Sequence, residues 1–228
     1  MKKNVNRTYP LWLIGEEVIP SKYDWEYDFY GGLALVKLNG KWGYVDKKGK
    51  EVIPCKYDDA CHFNNGLAKV KLNGKWGYIN KKGEEVISLK YDTISSFSDG
   101  LARIKLNEKY GYVDKKGKEV VPCKYDWSSE FCNVLFPVKL SNKYGYVDKE
   151  GKEIIPPIFN DATIVKPFII VFLKQCGVRK CGVINFYGEF ILPCQYDEIN
   201  VLDKRIIAKK DNIEFIFDEI GEMVEEKH

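Results

Sequence analysis

Between residues 67 and 87 the chain alternates between apolar and polar positions, breaks, and alternates again. Leu67-Ala68-Lys69-Val70-Lys71-Leu72 puts Ala68, Val70 and Leu72 on one side and lysines on the other, the period of two of a half-buried strand. Asn73-Gly74 follows, a strong hairpin signal because both residues tolerate positive φ. Lys75 to Asn80 reads as the return strand, with Trp76, Tyr78 and Ile79. Lys81-Lys82-Gly83 turns the chain again, where neighbouring segments read Asp46-Lys47-Lys48-Gly49 and Asp114-Lys115-Lys116-Gly117. Aspartate opening the turn and glycine in its left-handed position suit a type I turn with a bulge. Glu84 to Ile87 predicts a third strand. A Tyr-Asp corner and an irregular stretch ending in Phe97 and Gly100 then restart the cycle.

That cycle has a period of 34 residues. Trp42-Gly43, Trp76-Gly77, Tyr110-Gly111 and Tyr144-Gly145 keep it, as do Tyr23-Asp24, Tyr57-Asp58, Tyr91-Asp92 and Tyr125-Asp126. Phe29, Phe63, Phe97 and Phe131 form a third series in phase. Three aromatic series in one phase establish a tandem repeat. Each unit predicts a three-stranded antiparallel meander, with a fourth short strand near the phenylalanine. One meander is too small to stand alone, so neighbours must stack.

The ends differ from the middle. Gly15 aligns with Gly49, and Glu17-Val18-Ile19-Pro20 matches a third strand, so the chain is expected to open with a second and third strand only, or with a heavily altered first unit. After residue 160 the pattern decays: Cys181-Gly182 replaces the aromatic-glycine pair, three residues are inserted around Lys174 to Lys180, and the last unit carries Glu214-Phe215 there. The expectation is one partial and six fuller units in a single repeat domain over 1–228. It is regular over about 15–157, with degenerate repeats and a cap over about 158–228.

The run Asn39-Gly40-Lys41-Trp42-Gly43-Tyr44-Val45-Asp46, then Gly49 and Val52-Ile53-Pro54, resembles the bacterial WG (KWG) repeat. The resemblance covers residues 15 to 157 well and the rest loosely. It implies an all-β repeat protein used for binding or scaffolding, and supplies no catalytic residues. Two architectures fit an all-β stack of 34-residue meanders. One is an open, curved superhelix or solenoid; the other is a closed β-propeller. A propeller usually completes its last blade from both chain ends, and 34 residues is short for a four-stranded blade. The open stack is therefore expected.

Composition adds little chemistry. The charged fraction is 30%, yet the signs nearly cancel at +3, and the cations are mostly lysine. Only Arg7, Arg103, Arg179 and Arg205 offer the planar fork used against phosphates and base edges. Seven cysteines is an odd number, and Cys55, Cys123 and Cys194 share one repeat position, where small buried hydrophobes are expected. The longest apolar run, Phe168 to Leu173, has strand length, and the lack of a leader or span predicts a cytoplasmic protein without a membrane role.

Two histidines, His62 and His228, are too few for a nucleophile triad or a His-rich zinc site. Cys176 and Cys181 lie inside the inserted loop but lack two further metal ligands. No metal, cofactor or catalytic residue is therefore expected, and no enzyme activity. The recurring aspartates read as Asx-type corners, and the lysine doublets as solvated turns that also guard sheet edges. Residues that differ between units are the better places for function. Trp25 and Trp127, directly after Tyr-Asp corners, are candidate partner contacts, as are Arg179 and Lys180 in the inserted loop. The expected function is a non-enzymatic protein-binding module, an adaptor or an inhibitor. The alternative is nucleic-acid or polyanion binding along the lysine ridge, or inhibition of a nucleic-acid-processing enzyme.

Overall fold

The computed structural model describes residues 19–20, 22–129, 135–175 and 177–227. Gly15, Glu17, Val18, Phe131, Cys176 and His228 lie outside them. Among the described residues there is no helix, and the strands form six four-stranded antiparallel sheets, each built from four consecutive strands. The first sheet joins Trp25–Tyr30 (β1), Leu33–Leu38 (β2), Lys41–Asp46 (β3) and Glu51–Tyr57 (β4). The second joins Asp59–Ala60 (β5), Leu67–Leu72 (β6), Lys75–Asn80 (β7) and Glu85–Tyr91 (β8). The third joins Thr93–Ile94 (β9), Leu101–Leu106 (β10), Lys109–Asp114 (β11) and Glu119–Tyr125 (β12). The fourth joins Trp127–Ser128 (β13), Leu135–Leu140 (β14), Lys143–Asp148 (β15) and Glu153–Phe159 (β16). The fifth joins Asp161–Val165 (β17), Phe168–Gln175 (β18), Val178–Ile184 (β19) and Phe190–Tyr196 (β20). The sixth joins Glu198–Leu202 (β21), Arg205–Lys210 (β22), Ile213–Phe217 (β23) and Met223–Lys227 (β24).

Two expectations change. A fourth strand exists in every unit and begins directly after the corner; in the first sheet it runs on through Phe29, whereas in the second and third it ends before Phe63 and Phe97. While Cys61 to Phe63 and Ser95 to Phe97 stay irregular, the first residues of the stretch read as irregular are thus an edge strand. It can be as short as two residues, Asp59↔Lys71 and Ala60↔Val70 in the second sheet, so 34 residues do suffice for four strands. Among the described residues no sheet draws strands from both chain ends, as a ring closed through a shared blade would require.

The turns follow the predicted chemistry. Asn39-Gly40 and Asn73-Gly74 have positive φ at both residues, and the later units keep that conformation with Asn107-Glu108 and Ser141-Asn142. In the second turn, the Asp46 side chain accepts from the Lys48 and Lys50 amides at 2.8 and 3.0 Å. Asp114, Asp148, Asn185 and Asp218 repeat this arrangement. Local Asx bonding therefore belongs to this aspartate rather than to the Tyr-Asp one.

The chain falls into two compact units, Met1–Cys123 and Lys124–His228. Within the first, both faces of a sheet are covered. Ala34, Val36 and Val45 pack with Ile19 and Tyr23 on one side. Leu33, Leu35 and Tyr44 pack with Ala68, Val70 and Ile79 of the second sheet on the other. The face read as solvated is thus also buried, and the lysines on it lie over rings: Lys69 and Lys71 Nζ sit 4.8 and 5.5 Å from the Trp76 centroid. In the second unit, Ile169, Val171 and Ile184 pack on Leu135, Tyr146 and Phe159. Phe168, Ile170 and Cys181 pack toward Ile199, Ile206 and Ala208. Both degenerate units therefore keep the four-strand order, and the fifth sheet keeps the two-sided burial, whereas β24 of the sixth is exposed throughout.

The glycine of each Trp-Gly pair is fixed by a close approach. Trp42 pairs with Tyr57 and Tyr44 with Ile53, so four residues of β4 oppose two of β3. The bulge drives β4 onto the glycine. A Cβ on Gly77 would lie 2.4 Å from the Ile87 carbonyl oxygen, and one on Gly111 2.4 Å from that of Val121. Gly182 keeps the approach where cysteine has replaced the aromatic, at 2.7 Å from the Leu192 oxygen. Gly77→Ala should lower the unfolding free energy by about 1–3 kcal/mol, read from urea denaturation. An unchanged midpoint would mean that β8 can retreat without cost.

Candidate functional site

The recurring polar residues bond one unit to the next. The Asp58 carboxylate accepts from Lys41 Nζ at 2.6 Å and from the Gly74 amide at 3.1 Å. Asp92 accepts in the same way from Lys75 and from the Asn107 amide, and Asp197 from Lys180 and the Asp211 amide. Each carboxylate thus holds the following hairpin turn and a lysine of the preceding sheet. In the fifth unit Asn160 does the work uncharged, accepting from Lys143 and from the Lys174 amide, both at 2.9 Å. The lysine hydrogen bonds hold the carboxyls of Asp58, Asp92 and Asp197 below the usual carboxylate range.

The corner tyrosines make a second link. Tyr91 and Lys90 both donate to Glu119, at 2.7 and 2.9 Å, and Tyr125 and Lys124 to Glu153, at 2.6 and 2.8 Å. Burial opposes the charge on Glu119, but the two donors win and its pKa is lowered. A third link runs from the Tyr44 hydroxyl to the Cys61 carbonyl at 2.7 Å, and from Tyr78 to that of Ser95 at 2.9 Å. Burial pushes the Tyr78 hydroxyl up to about 12.

Trp25 and Trp127 stand apart from this lattice. Each opens the edge strand of its sheet and is exposed, at 45% and 41%. Trp25 pairs with Lys37, which pairs with Trp42, and Lys37 Nζ lies 4.9 Å from the Trp42 centroid. The fourth sheet repeats the row as Trp127, Lys139 and Tyr144. Lys139 lies 4.9 Å from the Tyr144 ring, with Trp127 edge-on to it at 6.2 Å. Cross-strand rows of aromatic, lysine and aromatic therefore head these two sheets. In the second and third sheets Asp59 and Thr93 take the tryptophan's place.

The Arg179-Lys180 site needs correction. The inserted residues lengthen a hairpin instead of forming a loop: Lys174 pairs with Arg179 and Leu173 with Lys180. Arg179 lies 4.0 Å from the Phe172 ring and 3.5 Å from Asp161. Lys180 is the bonding partner of Asp197 and belongs to the repeating lattice. Only Arg179 has an environment that other units do not share. Sequence reasoning missed the aromatic cluster of Tyr27 and Tyr30 against His62, at 5.1 and 4.5 Å. These tyrosines occupy non-repeating positions, and that was the available signal.

Burial pushes the described thiols up: Cys123 and Cys194 to about 11, with Cys55, Cys61 and Cys181 raised as well. Such thiols are poor nucleophiles near neutral pH. Cys181 is fully buried, whereas Cys55, Cys123 and Cys194 are half-buried and Cys61 is exposed. Burial also lowers the His62 pKa. Among the described residues no three His, Cys, Asp or Glu side chains come together to hold a metal ion. The lysine doublets at 47–48, 81–82 and 115–116 are exposed at the turns between third and fourth strands.

A depressed carboxylate contributes stability above its unfolded pKa and loses it as pH falls through the folded value. The urea midpoint should therefore fall as pH drops from about 4 through the folded values of Asp58, Asp92 and Asp197. Asp92→Asn, with Asn160 as native precedent, should keep the fold and make that decline shallower. An identical acid profile for the variant would rule out a contribution from the Lys75–Asp92 link.

The chain belongs to the family of WG containing repeats, whose model matches residues 14–42, 42–76, 76–110, 110–144 and 144–171 in succession. No curated protein matches the sequence. Among solved structures, it is similar to Hsv2 of Kluyveromyces lactis at 10% identity and a TM-score of 0.35, covering 71% of this chain and 60% of that one. It is similar to apo AztD from Citrobacter koseri at 12% identity and a TM-score of 0.35, covering 87% and 70%. A eukaryotic initiation factor matches at 10% identity and a TM-score of 0.39, covering 83% and 71%. The chain spans about three fifths of the length of Hsv2. Overlaps this loose support no functional transfer.

Proposed function

From a WG-repeat chain whose recurring polar groups are engaged between units, we propose a non-enzymatic protein-binding module, an adaptor or an inhibitor. The observation that carries this reading is the pair of aromatic–lysine–aromatic rows headed by Trp25 and Trp127. Both tryptophans are exposed, both lie on edge strands, and neither position is dictated by the repeat, since Asp59 and Thr93 serve equally well there. A tryptophan supplies large apolar area at low entropic cost, and a lysine beside it supplies charge for orientation. Arg179, laid over Phe172, adds a third contact of the same kind.

Immobilised full-length chain should retain a stoichiometric partner from native lysate. Trp25→Ala with Trp127→Ala should then weaken that complex by about 30-fold or more, the roughly 2 kcal/mol of a hot spot, while thermal stability stays near that of the parent. Undiminished affinity in the folded double variant would remove these residues from the interface. Titrating labelled RNA and DNA at low and high salt separates the other reading. Tight binding that collapses with salt and survives the double substitution would favour the exposed lysine turns.

A further inference from the structure

Between the second and third sheets lies a cleft of about 390 Å³, within the size range of ligand pockets. Tyr78 and Phe97 line it, their ring centroids 5.0 Å apart. Cys61, His62, Asn64 and Ser96 also line it, with two cations from Lys69 and Lys115 and a carboxylate from Asp99.

The repeat explains why it is open. One period earlier, between the first and second sheets, Tyr44 packs on Phe63 at 4.8 Å, as Tyr78 does on Phe97. Cys61 corresponds there to Tyr27, Asn64 to Tyr30 and Ser96 to His62. Tyr27 and Tyr30 lie against His62, and Tyr27 also lies 5.8 Å from Trp42. The neighbouring turns close in as well, with Lys81 Cε and Phe63 Cβ both 3.6 Å from the Cβ position of Gly31. Two phenol rings and an imidazole thus occupy the place that a thiol, an amide and a hydroxyl leave vacant one unit on. Large-to-small exchange in a packed site leaves a cavity when the surroundings do not collapse.

We propose that this cleft receives a tyrosine-type aromatic side chain from a protein partner, replacing the rings that the first unit carries at the same place. The proposal rests on the protein-binding reading above. Tyr78 and Phe97 offer ring edges and faces to a guest ring. Asn64, Ser96 and the two lysines offer polar groups to its hydroxyl and to the backbone that presents it.

N-acetyltyrosine amide, free p-cresol and N-acetylleucine amide would each be titrated into the ¹⁵N-labelled full chain by NMR. The tyrosine amide should shift the Cys61, Ser96 and Phe97 amides saturably, and the leucine amide should not. Cys61→Tyr with Asn64→Tyr, which restores the rings of the first unit, should weaken tyrosine amide binding at least tenfold with the melting temperature unchanged or raised. Should the double variant unfold, Asn64→Tyr alone carries the same expectation. Absence of saturable binding, or equal binding by the filled variant, would overturn the proposal. So would binding of p-cresol without the tyrosine amide, which would assign the cleft to a free aromatic molecule. Failure of the tyrosine amide alongside a captured partner refutes the cleft alone. Tyrosine amide binding with no partner captured refutes the protein-binding reading and the source named here.

Discussion

A 34-residue meander cannot bury its own apolar surface, and everything else follows from that shortage. Each strand of six residues offers three side chains to each face, and one hairpin or a bare meander is at best marginal in water. The solution is to bury both faces against neighbours, so that Leu33 and Leu35 face the second sheet while Ala34 and Val36 pack on Ile19 and Tyr23 of the preceding segment. Sheets stacked in this way stand roughly 10 Å apart. Large side chains on both sides of every layer would overfill that gap. Alternation of alanine and valine on one face with leucine and tyrosine on the other fits it, as large and small residues interdigitate.

Two-sided burial also decides where the polar groups go. A corner tyrosine that is fully buried needs a partner for its hydroxyl, and the nearest chain is the next unit. Glu119 and Glu153 meet that need for Tyr91 and Tyr125, each with a lysine beside it. The aspartates carry the same logic to the other end of the strands, where a turn amide and a lysine converge on one carboxylate. These links are exposed, so each contributes modestly. Their larger effect is on register: a unit shifted by one residue would lose the amide, the lysine and the tyrosine contact together.

The period, the strands and the hairpin turns were legible from sequence because each rests on local signals: alternation, Asn-Gly and Asp-Lys-Lys-Gly. The place of the fourth strand was not, because two residues such as Asp59-Ala60 carry no periodicity. They become a strand only because the edge of β6 offers them unpaired backbone groups. The lysines of β6 looked solvated for a related reason. A sequence shows that Lys69 and Lys71 share a side, but not that Trp76 lies under them. The inserted residues before Arg179 looked like a loop because an insertion at a turn cannot be told from a longer hairpin until the cross-strand partners are known. Trp25 and Trp127 were legible as exceptions to the repeat, whereas their rows with Lys37 and Lys139 required the register.

The edge strand is where a repeat of this kind can afford to differ. It is hydrogen-bonded on one side only, its first residue lies beyond the two-sided core, and the bulge that demands glycine acts at the opposite edge, between the third and fourth strands. Substituting there changes neither the turn chemistry nor the links between units. That freedom accounts for tryptophan, aspartate and threonine at one structural position, and for tyrosine, cysteine and serine two residues on. The same uniformity elsewhere turns every such exchange into a controlled comparison within one chain. Where a unit carries a smaller residue on an otherwise unchanged floor, as Cys61 and Asn64 do beside Tyr78 and Phe97, the void has a defined shape because the neighbouring unit shows what fills it.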